Sequence, residues 1–389
     1  MTPARRGAGR PGACLDCLRR SWLLAALGPA LDYRCRREGD LIELLALEDG
    51  QLLRALAGRR KQELSERYAT FCPKLVPEGK GTSALCRHDR SYPDALAGKA
   101  GPRMLYLAGA VERFERLTTA PVVAIAGSSW ATDYGMETTK SIARGLAASG
   151  VTVAGALTDG IAVAAHAGAL ELDAPTVAVM GGGLDVACPA GRRSLFARVR
   201  RVGSAAAEIP CGWRGRRWGP LASERILAGL AQLTVVVEAA DNARELSVAR
   251  LALGLGREVA AVPGRVTSPA SKGTHALLIG GAHLVRDASD VLDLLYRTSA
   301  RDQATGSAGT RPSHLKIKLD ARLKATLDRV GAGHDTPGQL TSANEDPEQV
   351  LLALSELELL GLVARGDGGR YVARDPRSLG ASPRYAALR

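Results

Sequence analysis

Short apolar runs alternate with longer amphipathic stretches from Pro121 onward. The runs are at most seven residues long and are β-branched or Ala-rich, as in PVVAIAG at 121–127 and LTVVVEA at 233–239. The segments between them have apolar residues at helical spacing. Alternation of strand and helix is typical of a parallel sheet with helices on both faces. The pattern therefore predicts an α/β core built on a parallel sheet.

Both flanks of this core have other patterns. The stretch LIELLALEDGQLLRAL at 41–56 has helical periodicity, whereas three helical stretches followed by LVARGDGGRYVAR at 362–374 are typical of a winged helix. A polar Gly/Ser/Thr-rich segment precedes the second flank. The predicted organisation is a disordered segment at 1–12, a helical (SAM-like) domain at 13–75, the core at 85–297, a linker at 298–313, a winged-helix-like domain at 314–376 and a tail at 377–389.

Charge adds a question about the binding partner. Lys and Arg total 52 against 40 Asp and Glu, a net charge of +12. This surplus is compatible with a nucleic acid, although an Arg-rich composition can also follow from GC-rich coding. The densest positive stretch, 192–217, has Trp213 and Trp218 beside its last arginines; the combination suits single-stranded nucleic acid, and a solvated surface is the alternative. The candidate DNA-binding arginines of this stretch are Arg192, Arg193, Arg214, Arg216 and Arg217.

Loops that follow strands supply the other candidates, because ligands bind at the carboxyl ends of parallel strands. The first loop, 127–132, leads into a helix whose N-terminus could bind an anion, but it matches neither GxGxxG nor a P-loop. His166 lies within the helix after the second loop, where a packing role is favoured over a ligand-facing one. The candidate residues at these strand ends are Gly127, Ser128, Ser129, Gly160, His166, Gly264, Lys272, Gly273 and His275.

The seven cysteines indicate a reduced compartment, since their number is odd and no signal sequence is read. Cys14 and Cys17 form a lone CxxC, which Cys86 and His88 could complete as a metal site. We expect separate thiols and no metal. There is also no GxSxG, HExxH or paired-carboxylate motif, so no catalytic residues are predicted. No apolar run reaches 18 residues, and we expect a cytoplasmic protein without a membrane span.

The order of these loops resembles the DNA-processing protein A (DprA/Smf) family from about Ser91 to Tyr296. The segments that carry the resemblance include VVAIAGSSWATDYG at 122–135, LTDGIAVAAHAGAL at 157–170 and GREVAAVPGRVTSPASKGTHALLIGGAHLV at 256–285. Singly none is specific, but in this order and spacing they are.

The resemblance implies an extended Rossmann-like core that binds single-stranded DNA. Such proteins protect incoming strands and help load the recombinase RecA in natural transformation. They use no cofactor, are not usually regarded as enzymes and commonly form homodimers.

The sequence departs from the family pattern at the anion pocket. Ser129 replaces an arginine, Asp159 precedes Gly160, and Glu224 precedes the retained Arg225. The family's Ser-Gly-Ser becomes Ala243-Arg244-Glu245, and His275 replaces an asparagine. Acidic groups here add repulsion, for which Arg225, Arg244 and Lys272 could compensate, so Arg225 and Arg244 join the candidates. Two alternatives stay open: a nucleotide-binding enzyme or sensor of the phosphoribohydrolase-like superfamily, and a protein-interaction paralogue with a decayed DNA pocket.

Overall fold

The chain divides between residues 306 and 307 into two compact units. Arg214 and Arg216, the predicted ends 1–12 and 377–389, and the second half of the predicted linker lie outside the described residues. The computed structural model describes residues 13–34, 38–76, 79–98, 101–185, 192–213, 217–242, 244–306, 320–331, 336–341, 346–359, 363–365 and 371–373.

A nine-stranded sheet forms the centre of the first unit, in the order β1-β2-β6-β5-β4-β3-β7-β8-β9. Strands β3 to β9 pair in parallel with one another. Strand β2 pairs antiparallel with both β1 and β6. The predicted α/β class with a mostly parallel sheet is therefore confirmed. The strands are β1 Thr82–Cys86, β2 Met104–Ala108, β3 Val122–Ala126, β4 Thr152–Ala156, β5 Thr176–Met180, β6 Ser204–Ala207, β7 Leu233–Val236, β8 Glu258–Ala261 and β9 His283–Leu284.

The apolar character of the central strands follows from burial on both faces. Strand β3 is buried along its whole length. Val122 and Ala124 belong to one hydrophobic cluster, and Val123 and Ile125 to another. Successive side chains of a strand point to opposite faces, so a strand covered on both sides has to be apolar at every position.

Helices cover both faces of the sheet and continue beyond the predicted core. Helix α13 includes residues 298–306, which composition assigned to a linker, because Ala, Arg and Gln in this segment favour a helix. The helices of the first unit are α1 Leu15–Ala26, α2 Gly28–Arg34, α3 Glu38–Ala46, α4 Asp49–Leu56, α5 Lys61–Ala69, α6 Val111–Thr119, α7 Asp133–Ala148, α8 Ile161–Glu171, α9 Arg193–Val202, α10 Trp218–Leu230, α11 Ser247–Gly254, α12 Lys272–Ile279 and α13 Ala288–Gly306.

The N-terminal helices pack against the antiparallel side of the sheet. Leu23 of α1 and Leu52 of α4 lie in the same hydrophobic cluster as Met104 and Tyr106 of β2. The Tyr106 hydroxyl also hydrogen bonds to Ser21 Oγ over 2.8 Å. Helices α1–α5 and the sheet therefore share one hydrophobic core.

The second unit contains three described helices and a two-stranded antiparallel sheet. Its core includes Leu323, Leu354, Leu357, Val363 and Tyr371. These are the predicted element types in the predicted order; their assignment as a winged helix stays a prediction. The elements are α14 Ala321–Gly331, α15 Pro337–Leu340, α16 Pro347–Leu359, β10 Val363–Arg365 and β11 Tyr371–Ala373. Across the part of the chain that the structure describes, no helix combines the length and apolarity needed to cross a membrane.

Candidate functional site

The strand order reverses beside β3, and the loops after β3 and β7 meet at this point. The Ser128 N–H donates to the Glu238 carbonyl oxygen over 2.6 Å. A Cβ at Gly127 would overlap the same oxygen, so only glycine allows the two loops to approach this closely. Ligand sites of open α/β sheets form at such a reversal.

A cleft of about 590 Å³ opens beyond the carboxyl ends of β3, β4 and β5. The loop after β3 forms one wall, while helices α8, α10 and α11 supply the others. A cleft of this size suits a small ligand or part of a polymer. Its polar and aromatic lining residues include Ser129, Trp130, Thr158, Ser223, Glu224, Asn242, Arg244 and Glu245.

Trp130 stands out at the rim of this cleft, because its side chain is 90% exposed. The Ser128 hydroxyl oxygen accepts a hydrogen bond from the Trp130 N–H over 3.1 Å and so holds the loop that carries it. Large exposed aromatic side chains often mark binding surfaces. Sequence reasoning missed this residue. The available signal was a tryptophan within a loop of small residues at a strand end.

Two acidic residues near the cleft are engaged with neighbouring groups. The Asp159 carboxylate pairs with Arg192 Nε at 3.1 Å, and Arg192 also donates to the Leu157 carbonyl over 2.6 Å. Glu245 accepts hydrogen bonds from the Ala240 N–H (2.8 Å) and the Asn242 amide (3.2 Å). These contacts reduce the repulsion that the sequence predicts from acidic residues here. They also occupy Arg192, so its charge is partly neutralised.

The N-terminus of α7, predicted as an anion site, already has a protein carboxylate. Thr132 Oγ1 caps the helix by accepting from the Gly135 N–H over 3.2 Å. The buried Glu238 carboxylate in turn accepts from the Thr132 N–H (2.8 Å) and hydroxyl (2.7 Å). Glu238 thus places a negative charge at the α7 N-terminus, and this charge opposes the binding of a phosphate that the sequence suggested.

His166 and Arg225 are buried, and neither side chain can contact DNA directly in this arrangement. His166 Nε2 lies 3.2 Å from the Ala156 carbonyl oxygen, and its Nδ1 lies 2.9 Å from the Thr176 hydroxyl oxygen. Burial lowers the pKa of His166 to about 4, so the ring is neutral. Arg225 forms a buried ion pair with Glu208. Their burial supports structural roles for both residues and not the predicted DNA contacts.

The Arg-rich stretch is only partly arranged as the sequence suggested. Arg193 and Arg217 are exposed. Trp218, however, is only 2% exposed, so it cannot stack on a base. Asp32 accepts from the backbone N–H groups of Arg217 (2.7 Å) and Trp218 (3.1 Å) and caps α10. Trp213 is half-buried, and the interleaving of cations and aromatic faces is therefore not present at Trp218.

The candidates after β8 serve mainly close packing. A Cβ at Gly273 would lie 2.5 Å from the Ala240 carbonyl oxygen, and one at Gly264 would overlap Ser271. His275 Nε2 lies 3.1 Å from the Gly264 carbonyl oxygen. Lys272 is exposed and keeps its predicted place as a surface cation at a strand end.

One group outside the cleft has metal-ligand character. Cys14, Cys17, Cys86 and His88 place their ligand atoms within 4.8 Å of one another. The sequence led us to expect separate thiols, because no second CxxC completes a zinc quartet. The fold brings them together.

An open α/β sheet with a cleft at its reversal point, and no dinucleotide or P-loop motif, defines a Rossmann-like binding protein. The family model for DNA recombination-mediator protein A matches residues 83–296. The chain is 37% identical over 258 residues to a DNA processing protein DprA of Mycobacterium tuberculosis (strain H37Rv), covering 64% of each. It is 31% identical to protein Smf of Escherichia coli K12, covering 71% of this chain and 73% of Smf.

A solved structure agrees. The X-ray structure of DprA from Streptococcus pneumoniae superposes with a TM-score of 0.58 at 26% identity, over 71% of this chain and 97% of that one. The chain therefore belongs to the DNA recombination-mediator protein A family, and the predicted resemblance is confirmed. The alignment spans less than two thirds of the mycobacterial relative's length.

Proposed function

We propose that this chain binds single-stranded DNA at the cleft beyond β3, β4 and β5. In this proposal it protects incoming strands and helps to load RecA in natural transformation, as a cytoplasmic homodimer that performs no catalysis. Family membership supports DNA as the ligand. The observation that carries the proposal is Trp130, 90% exposed at the rim of the cleft.

The chemistry of the rim suits a single strand. An exposed indole offers a face on which any base can stack, worth about 1–3 kcal/mol per base. Arg244 is an exposed cation that lines the cleft and can neutralise a phosphate. Arg193, Arg217 and Lys272 are further exposed cations of the chain. Binding of this kind reads the backbone and the π-faces of the bases, so we expect little sequence preference.

Binding to fluorescein-labelled oligo(dT) tests the proposal. Trp130→Ala should weaken binding roughly 5- to 150-fold, the equivalent of one lost stacked base. Tyr296→Ala is the matched control, because Tyr296 is also exposed (55%) but is not a lining residue of the cleft. Equal affinity of the wild type and Trp130→Ala would show that the indole does not stack on a base. Weak wild-type binding that does not change with salt would exclude DNA as the ligand.

Two further assays test the alternative functions. The cleft is also large enough for a mononucleotide, so release of free base from AMP would identify a phosphoribohydrolase-like enzyme instead. Capture of RecA in the absence of DNA, with no oligo(dT) binding, would identify a protein-interaction paralogue.

A further inference from the structure

Four side chains that the proposed DNA site does not use converge between the first helix and the first strand. Cys14 immediately precedes α1, Cys17 lies in its first turn, Cys86 ends β1, and His88 follows two residues later. We call these four residues the CCCH cluster. None of its cysteines is in a disulfide.

The distances are those of a tetrahedral metal site. His88 Nδ1 lies 3.3 Å from Cys14 Sγ, 3.5 Å from Cys17 Sγ and 4.0 Å from Cys86 Sγ. Tetrahedral zinc, with Zn–S near 2.3 Å and Zn–N near 2.0–2.1 Å, requires S···N separations of about 3.6 Å and S···S separations of about 3.8 Å. Since all four ligand atoms lie within 4.8 Å of one another, changes of at most about 1 Å in these distances complete the site.

We propose that the CCCH cluster binds one zinc ion. Thiolates select soft or borderline cations such as zinc over magnesium or calcium. The Cys14 N–H points to Cys86 Sγ over 3.5 Å, and such a hydrogen bond stabilises a thiolate ligand. The CxxC at the helix start has a usual spacing of zinc ligands, and the strand end supplies the other two ligands, Cys86 and His88.

The site is structural, because the protein supplies all four ligands and leaves no position for water or substrate. Cys17 and Cys86 are buried, which also keeps solvent from the ion. Zinc here joins segments 74 residues apart, as measured from Cys14 to His88. It fastens α1 to β1, the strand at the edge of the sheet. Coordination of zinc thereby links the N-terminal helices to the sheet, in addition to the hydrophobic core that they share.

Metal content is the first test. The full chain, purified without metal-affinity resin, should contain one zinc per chain by inductively coupled plasma mass spectrometry. Replacement with Co²⁺ should give the intense visible bands of tetrahedral thiolate cobalt. Metal-free protein with no cobalt spectrum would overturn the proposal. So would iron with acid-labile sulfide, or a Cys14–Cys17 disulfide in freshly purified protein.

Variants of His88 make the test independent of folding defects, because this side chain is exposed. His88→Ala should lose bound zinc or release it much faster to a chelator, whereas His88→Cys should retain it in a site of four thiolates. Cys72→Ser is the control, since Cys72 is an exposed thiol outside the cluster. Equal zinc content together with an equal rate of release to the chelator in His88→Ala and the wild type would show that this ring is not a ligand and would overturn the site as proposed.

Discussion

Trp130 and Trp218 show how differently one residue type is used in this chain. Trp130 is 90% exposed at the rim of the cleft, whereas Trp218 is 2% exposed and belongs to the hydrophobic cluster shared by the N-terminal helices and the sheet. Trp130 follows two serines in the sequence, and Trp218 follows two arginines. Sequence reasoning therefore favoured Trp218, beside the arginines, and overlooked Trp130.

Trp218→Ala should lower the free energy of unfolding by about 3–5 kcal/mol, because it leaves a large cavity. Trp130→Ala should change it by no more than about 0.5 kcal/mol, since nothing packs around an exposed indole. Urea denaturation followed by circular dichroism measures both. A stability loss at Trp130 as large as that at Trp218 would contradict the exposure of the first side chain.

His166 should make stability fall in mild acid. The folded-state pKa is about 4, whereas an unfolded histidine has a pKa near 6.5, so the unfolded chain binds the additional proton. The contribution of His166 is fully present above pH 6.5 and decreases as the pH falls to 4, by about 2 kcal/mol at pH 5. Denaturation at pH 7 and pH 5 should show a smaller loss for His166→Gln than for the wild type. An equal loss in both proteins would show that this ring titrates normally.

The sequence predicted many residues of the candidate site, but it did not predict which of their side chains are buried. The sequence located the strand-end loops, and the structure places Gly127 and Ser129 on the cleft. The sequence could not show that Arg225 pairs with Glu208, which directly follows β6. Helical periodicity shows which face of a helix a residue lies on only when the helix is strongly amphipathic. Helix α10 is apolar at most positions, so its sequence gives no such signal.

At the scale of elements, the start of α7 depends on Glu238 from the loop after β7. Glu238→Ala should lower the free energy of unfolding by about 1–3 kcal/mol, because it removes the acceptor of the Thr132 N–H and hydroxyl. Glu137→Ala is the control, because Glu137 lies on α7 and forms a surface ion pair with Lys140 at 3.2 Å. Thermal or urea denaturation measures the two variants. Similar small effects would show that Glu238 does not stabilise this helix end.

The pattern of apolar runs in the sequence predicted the parallel strands, but only the structure shows the order of the strands in the sheet. The runs after Pro121 are recognisable because strands buried on both faces are continuously apolar. Strands β1 and β2 were not predicted: β1 is an edge strand with half-buried positions, whereas β2 is buried along its whole length and its apolar run MLYLA was overlooked. The order β5-β4-β3-β7 depends on which helices cross which face, and no local pattern encodes it. The cleft itself is a product of that order.

At the scale of the whole molecule, the net charge of +12 overstates the charge available to DNA. Within the Arg-rich stretch, Arg192 pairs with Asp159 at 3.1 Å, and Arg198 pairs with Asp173 at 3.2 Å. Among the residues that the structure describes, the exposed cation that lines the cleft is Arg244. The positions of the cations, and not the net charge of the chain, therefore determine how strongly salt should weaken DNA binding.

Arg244→Ala should reduce the slope of log Kobs against log salt for oligo(dT) by about 0.7, the value for one phosphate contact on a single strand. Arg225→Ala should leave this slope unchanged and instead lower stability by about 3–5 kcal/mol, because it leaves Glu208 buried without its partner. Titrations at several salt concentrations, with stability measured in parallel, distinguish the two. A lower slope for folded Arg225→Ala would restore this residue as a phosphate contact.

The hydrogen bond between Ser128 and the Glu238 carbonyl has a kinetic consequence. It holds the loops after β3 and β7 together before any ligand arrives, with no room for a side chain between them at Gly127. A preformed binding surface loses little conformational entropy when it is occupied. Association with an oligonucleotide should therefore be a single step whose observed rate rises linearly with concentration, and differences in affinity among cleft variants should lie mainly in residence time.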